Sequence, residues 1–204
     1  MFNENKNFYP TPEKLVNKMI SLVDWNKVET VLEPSAGKGD IAETVKKYGE
    51  KYQGVSFDID CIEYDENLRH ILTGKDLKVV HNDFLTYDTM KSYDLIIMNP
   101  PFENGDKHIL KALEMQEKNG GGVICLLNAE TLKNPCNNRR LSLVEKLREH
   151  GADIEYIQNA FMEAERKTNV ETALIKVLIP QTEKESFILN NLRKAREERE
   201  CKPE

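Results

Sequence analysis

The sequence predicts an α/β fold in which a mostly parallel sheet carries helices on both faces and ends in an antiparallel pair of strands. Three observations lead there. Short apolar runs alternate with breakers and with segments of helical spacing, the pattern of repeated β-α-β units. A glycine-bearing turn follows the first of these runs and opens a helix. The last two apolar runs lie only about a dozen residues apart, too few for a comfortable helical crossover between parallel strands.

The elements follow in order. Thr11-Pro12-Glu13 reads as a helix start, with proline in the first turn and Leu15, Val16, Met19, Ile20 and Val23 at helical spacing. Residues 30–33 form a short buried strand, and Gly37-Lys38-Gly39-Asp40 breaks it and begins a helix that runs to about Tyr48. Residues 59–63 are expected as the second strand and 66–72 as a short helix. Val79-Val80 leads to a third strand end at Asn82-Asp83-Phe84. The fourth strand, 93–98, is stopped by Asn99 and two prolines, which cannot continue a ladder. A helix over 109–115, a Gly120-Gly121-Gly122 turn, a fifth strand over 123–127 and a helix over about 141–150 come next. Residues 153–157 and 170–179 are the antiparallel pair. We expect one domain over 1–182 and a charged helix or tail over 183–204, with no chemistry assigned to the latter.

Composition narrows the class. With 39% hydrophobic residues, 204 residues suffice for one full core. No basic start precedes an apolar leader and no run approaches the roughly 18 apolar residues of a membrane span, so the expectation is a soluble cytoplasmic protein. The four cysteines, Cys61, Cys125, Cys136 and Cys201, lack metal or disulfide spacing, and two sit inside apolar runs. The four histidines, His70, His81, His108 and His150, are scattered and expected on surfaces or helix faces, so no metal site is expected. A net charge of -6 restricts any nucleic-acid contact to a local basic surface, because phosphate neutralisation supplies most non-specific affinity.

In a parallel sheet, ligands bind beyond the carboxyl ends of the strands. The segment Glu33-Pro34-Ser35-Ala36-Gly37-Lys38-Gly39-Asp40 falls there, and its glycines allow close backbone approach. Gly37, Gly39 and Ala42 match Gly-x-Gly-x-x-Ala, a form also met in dinucleotide-binding turns, whereas a phosphate loop is excluded because Gly39 follows Lys38 where Ser or Thr would be required. Glu63, where the second strand gives way to a helix, suits the hydroxyl pair of a ribose better than Asp58 or Asp60, which lie at or before the strand start. Asp83 and Phe84 offer a carboxylate and a ring to an adenine.

Asn99-Pro100-Pro101-Phe102 carries the most specific chemistry. The lone pair of a ring-bound exocyclic amine is delocalised, and the planar nitrogen is a poor nucleophile. Two fixed acceptors for its hydrogens, the Asn99 side-chain carbonyl and the Pro100 main-chain carbonyl, favour the pyramidal nitrogen that attacks a methyl sulfonium. Consecutive prolines lock φ and hold those carbonyls still, and Phe102 is placed to stack on the target ring. The cysteine nucleophile that C5 methylation of cytosine would require is absent from this turn.

On these residues the chain resembles the class I S-adenosylmethionine-dependent methyltransferases, specifically the amino-methylating DNA adenine-N6 group, over roughly residues 7–180. Phe8-Tyr9-Pro10-Thr11-Pro12 resembles the motif that contacts the methionine end of the cofactor, which puts Tyr9 and Thr11 among the cofactor residues. Glu33, Pro34, Ala36, Gly37, Gly39 and Asp40 resemble the glycine motif. Glu63 matches the ribose acid, Asp83 and Phe84 the adenine contact, and residues 99–102 the catalytic motif, with Asn99 also close to the cofactor. The resemblance implies a Rossmann-like, seven-stranded sheet, S-adenosyl-L-methionine as cofactor, and an adenine flipped from DNA into the pocket before direct transfer.

Lys133, Arg139 and Arg140 after the fifth strand, and Arg166 and Lys167 between the last two, are the candidates for nucleic-acid contact. DNA enzymes of this group usually add a target-recognition domain for which this chain shows no separate segment, so a protein partner or homodimer supplying recognition is a further expectation. RNA methylation at adenine N6 or guanine N2 is the nearest alternative, since the same acceptors serve either amine. Protein glutamine methylation, a partner-dependent or non-catalytic subunit, and a nicotinamide oxidoreductase are the remaining readings; the last gives no role to residues 99–102.

Overall fold

A computed structural model describes residues 10–161 and 170–181. Among them, seven strands make one sheet: β1 (Thr30–Glu33), β2 (Asp58–Ile62), β3 (Lys78–His81), β4 (Leu95–Met98), β5 (Gly121–Asn128), β6 (Asp153–Ile157) and β7 (Thr172–Ile179), in the order β3-β2-β1-β4-β5-β7-β6. The first five pair in parallel, while β7 runs antiparallel to both β5 and β6. This is the Rossmann-like methyltransferase architecture, with the expected antiparallel end. No described helix is long and apolar enough to cross a membrane.

Strand pleating divides the apolar runs between two cores. Val31, Leu95, Ile97, Ile124 and Leu126 face one side with Leu15, Val16, Met19 and Ile20 of α1 (Glu13–Ser21) and Ile41 and Val45 of α2 (Asp40–Tyr48). Leu32, Ile96, Met98, Val123, Cys125 and Leu127 face the other with Ile109 and Leu113 of α4 (Gly105–Asn119) and Leu143 and Leu147 of α6 (Asn138–Glu149). Strands covered on both faces must be apolar at every position, which is why these runs do not alternate in sequence. Helix α3 (Glu66–Gly74) is capped by Asp65, whose carboxylate accepts the backbone N–H groups of Asn67 and Leu68.

Several boundaries differ from expectation. Residues 120–122 are not all turn: Gly121 and Gly122 open β5, because the Gln116 side chain donates to the carbonyls of Tyr93 and Gly122 and ties α4 to both central strands. A Cβ at Gly121 would sit 2.8 Å from Gln116 Nε2 and 2.9 Å from the Asp94 carbonyl, so close approach accounts for that glycine. Helix α4 begins at Gly105, four residues before the apolar spacing becomes visible, and a short helix α5 (Glu130–Lys133) follows β5. Arg139 and Arg140 belong to the first turn of α6 instead of a loop. Tyr9, Arg166, Lys167, Cys201 and the segment 183–204 lie outside the described residues.

Candidate active site

The carboxyl ends of β1, β2, β3 and β4, with the loops that follow, enclose a cavity of about 450 Å³. It sits where strand addition reverses direction, from β1-β2-β3 on one side to β4-β5 on the other, the position at which open α/β sheets bind ligands. Thr11, Glu33, Pro34, Ala36, Gly37, Asp40, Glu63, Asp83, Phe84, Asn99, Pro100, Pro101 and Phe102 all line it, drawing together residues spread over nearly half the chain.

Gly39 alone of the described cofactor candidates does not. It occupies the left-handed region at φ +91° before α2, and a Cβ there would meet Leu77 Cδ1 at 2.7 Å and Leu72 Cδ2 at 2.9 Å. Its glycine is required by turn geometry and by packing against α3 and the entry to β3. Gly39→Ala is accordingly expected to destabilise the fold by about 1–3 kcal/mol in denaturant titration, with ligand affinity changing less than stability does.

Three acids converge on one wall. Glu63 sits directly after β2; its Oε2 accepts the Gly37 N–H at 2.7 Å and its Oε1 the Asp65 N–H at 2.9 Å. The carboxylate thus holds the glycine loop against the start of α3, and its remaining lone pairs are available to hydroxyl donors. Burial raises the Glu63 pKa against the lowering effect of these bonds. Glu33, 1% exposed, accepts the Ala42 N–H at 2.8 Å near the start of α2. Burial pushes its pKa well above the ordinary value, and the charges of Asp40 and Glu63 push it further. Such a wall disfavours an anionic ligand and is relieved by a cationic one.

This predicts a pH signature. A carboxyl whose folded pKa is raised contributes stability below its ordinary value of 4.5 and loses that contribution as pH rises through the folded value. The ligand-free wild type should therefore lose more Tm between pH 5 and pH 8 than Glu33→Gln, which should melt about 3 °C higher at pH 8. Equal slopes in the two proteins would contradict a buried neutral carboxyl. Asp58 and Asp60, the competitors of Glu63, instead bind Lys91, and Asp60 also accepts from the Tyr93 hydroxyl and pairs with Lys78.

The turn after β4 is rigidly held. Asn99 Nδ2 donates to Thr11 Oγ1 at 3.0 Å, which places the amide nitrogen toward Thr11 and the carbonyl oxygen on the opposite side of the amide. The Pro101 carbonyl accepts the Asn104 N–H at 3.1 Å and closes the turn, which makes no use of the Pro100 carbonyl. Phe102 meets the buried Phe161 edge-on, with centroids 5.8 Å apart and planes at 89°.

His108, expected on a surface or helix face, is buried in the cavity wall. Its Nδ1 lies 2.9 Å from the Asn104 carbonyl and its ring packs on Phe84 at 5.7 Å. Its only trace in the sequence is its position nine residues after Asn99, which shows nothing about burial. Asn104 and Tyr64 also line the cavity and were not anticipated.

The basic candidates outside the cavity are engaged elsewhere. Arg139 Nε lies 2.8 Å from the buried carboxylate of Asp106, and Arg140 Nε 3.8 Å from it, joining the first turns of α4 and α6. Lys133 pairs with Glu171 and sits 4.5 Å over the Tyr156 ring.

A family model described as "Methyltransferase small domain" matches residues 15–129. Type II methyltransferase M.AccI of Acinetobacter calcoaceticus is 26% identical over 171 residues, covering 81% of this chain and 30% of that protein. Ribosomal RNA small subunit methyltransferase A of Mycoplasma capricolum is 25% identical over 132 residues, covering 61% of this chain and 48% of that protein. A type I restriction-modification system methyltransferase subunit from Streptococcus thermophilus superposes with a TM-score of 0.67 at 17% identity, covering 85% of this chain and 45% of that one. The chain thus spans less than half the length of each of these proteins.

Proposed function

The chain belongs to the methyltransferase small domain family and has the class I S-adenosylmethionine-dependent fold, and from this we propose that it methylates an exocyclic amine, N6 of adenine in DNA flipped into the cavity. The orientation of the Asn99 amide by Thr11 carries the reading.

S-Adenosylmethionine is the cofactor, and when bound it supplies an electrophilic methyl group on a cationic sulfonium. The wall fits it. Asp40 offsets its positive charge, and the cation would favour ionisation of the neighbouring Glu33, whose pKa burial has raised; Glu63 accepts from the ribose hydroxyls beside Gly37, and Asp83 accepts from the adenine amino group in a wall that the buried Phe84 also lines. Asn99 Oδ1 and the Pro100 carbonyl accept the two hydrogens of the target amine and draw its nitrogen out of conjugation. Phe102 stacks on the target base, braced edge-on by Phe161.

DNA is favoured by the type II and restriction-modification relatives, and RNA amine methylation is the second reading, favoured by the ribosomal RNA relative. The engagement of Arg139 and Lys133 with acids supports target recognition by a protein partner or a second copy. The test incubates the protein with methyl-tritiated cofactor and either plasmid DNA or structured RNA, then digests to nucleosides. Label in N6-methyldeoxyadenosine is the expected result; label in RNA alone overturns the choice of polymer, and label in neither, with or without added partner extract, overturns the catalytic reading.

A further inference from the structure

Resting on the proposed placement of the cofactor adenine beside Asp83 and Phe84, we infer that His108 is a specificity residue of that subsite, its Nε2 accepting the second hydrogen of the adenine amino group.

The tautomer follows from the neighbours. A main-chain carbonyl can only accept, so at 2.9 Å from the Asn104 oxygen Nδ1 is the protonated nitrogen. Burial lowers the His108 pKa against the raising effects of the Asn104 bond and of Asp83 and Asp106, with Lys107 adding to the lowering, so the ring is neutral at pH 7. Nε2 then carries a lone pair and nothing to donate. It has no hydrogen-bond partner among the described residues, yet it is not among the sealed-off polar atoms, so it opens on the cavity that His108 lines.

An acceptor in a half-apolar wall requires a donor from whatever fills the space before it. The elements around His108 are the start of α4 and the segment carrying Asp83, Phe84 and Leu85, and the Phe84 ring lies against the imidazole. Asp83 and His108 therefore present two acceptors in a cavity wall that the buried Phe84 also lines. An amine with two hydrogens satisfies both, whereas a ring carbonyl at the same place sets lone pairs against lone pairs, leaving His108 Nε2 unpaired and Asp83 with only the Leu85 N–H that its Oδ1 accepts at 2.9 Å. The cavity then treats its two amines alike: one pair of acceptors recognises the cofactor's amino group, and the other, Asn99 and Pro100, activates the target's.

Titration calorimetry with S-adenosylhomocysteine and its deaminated analogue S-inosylhomocysteine tests this without turnover. The wild type should favour the adenosyl ligand by at least about tenfold. His108→Asn retains a donor for the Asn104 carbonyl and lacks the distal acceptor; it should weaken the adenosyl ligand about fivefold to tenfold and leave the inosyl ligand nearly unchanged. His108→Gln, which can place an oxygen near the Nε2 position, should retain most of the preference. Thermal melts of both variants without ligand establish that they fold. An unchanged ratio in His108→Asn overturns the assignment and leaves His108 as an anchor for Asn104 alone. A shift in nucleic-acid KM with the ratio unchanged overturns it in favour of the target base. Failure of the wild type to bind either ligand is a different result, since it overturns the cofactor placement on which the inference rests.

Discussion

Asn99→Ala should slow methyl transfer at least about a hundredfold while S-adenosylhomocysteine affinity stays within about threefold of wild type. The split follows from geometry. Asn99 lines the cavity from the carboxyl end of β4, and its amide nitrogen is held by Thr11 Oγ1 at 3.0 Å, so the oxygen is the atom it can offer a target amine. Alanine removes an acceptor that acts on the nitrogen as it pyramidalises, and an interaction made mainly in the transition state appears in kcat. Two further variants sharpen the test. Asn99→Asp keeps an acceptor oxygen, and the Thr11 hydroxyl can turn to donate to it, so its rate should fall between those of wild type and alanine. Thr11→Val removes the contact that orients the amide and should lose about tenfold. Retention of more than a tenth of the activity by Asn99→Ala would sink the proposed role, and equal loss of cofactor binding would point to a damaged fold instead.

The second large effect belongs to Glu63. Glu63→Ala should weaken S-adenosylhomocysteine binding about 30-fold or more, because charge-assisted hydrogen bonds contribute about 1.5–3 kcal/mol each and one carboxylate is assigned to two ribose hydroxyls. The same substitution removes the acceptor for the Gly37 and Asp65 N–H groups, at 2.7 and 2.9 Å, and so loosens the glycine loop that the ligand approaches. Glu63→Gln should fall between, since an amide can accept from one of those N–H groups but sets its own NH₂ against the other. Asp60→Asn is the control: its carboxylate binds Lys78, Lys91 and the Tyr93 hydroxyl, so the change should reduce stability and leave affinity alone. Calorimetry on the three variants with denaturant titrations checks both halves. Unchanged affinity in Glu63→Ala would remove the ribose assignment.

Much of the site was readable in advance because its residues stand at strand ends, and strand ends are announced by local chemistry. Glycines after residue 33, the acid after the second apolar run and a double proline after the fourth each mark a place where the backbone leaves the sheet. The hidden parts depend on contacts between distant segments. The start of α4 is Gly-Asp-Lys, which reads as loop, yet Asp106 is buried because Arg139 reaches it from α6. Arg139 in turn reads from its charge alone as a phosphate contact, and the fold sets its Nε against the Asp106 carboxylate. Gly39 fits the ligand motif by spacing but serves the packing of Leu72 and Leu77. His108 was one of four scattered histidines until α4 folded it against Phe84.

Local rules therefore set the order of strands and helices, the antiparallel end, the turn that presents Asn99 and the acid that meets Gly37, since apolar period, proline and glycine act within a few residues of themselves. Tertiary structure decided which acids are buried, which cations are spent on them, which way the Asn99 amide points and which histidine faces the cavity. Those depend on desolvation and on single hydrogen bonds between segments up to 88 residues apart, and no periodicity in a chain records what will stand opposite a side chain once water has been removed.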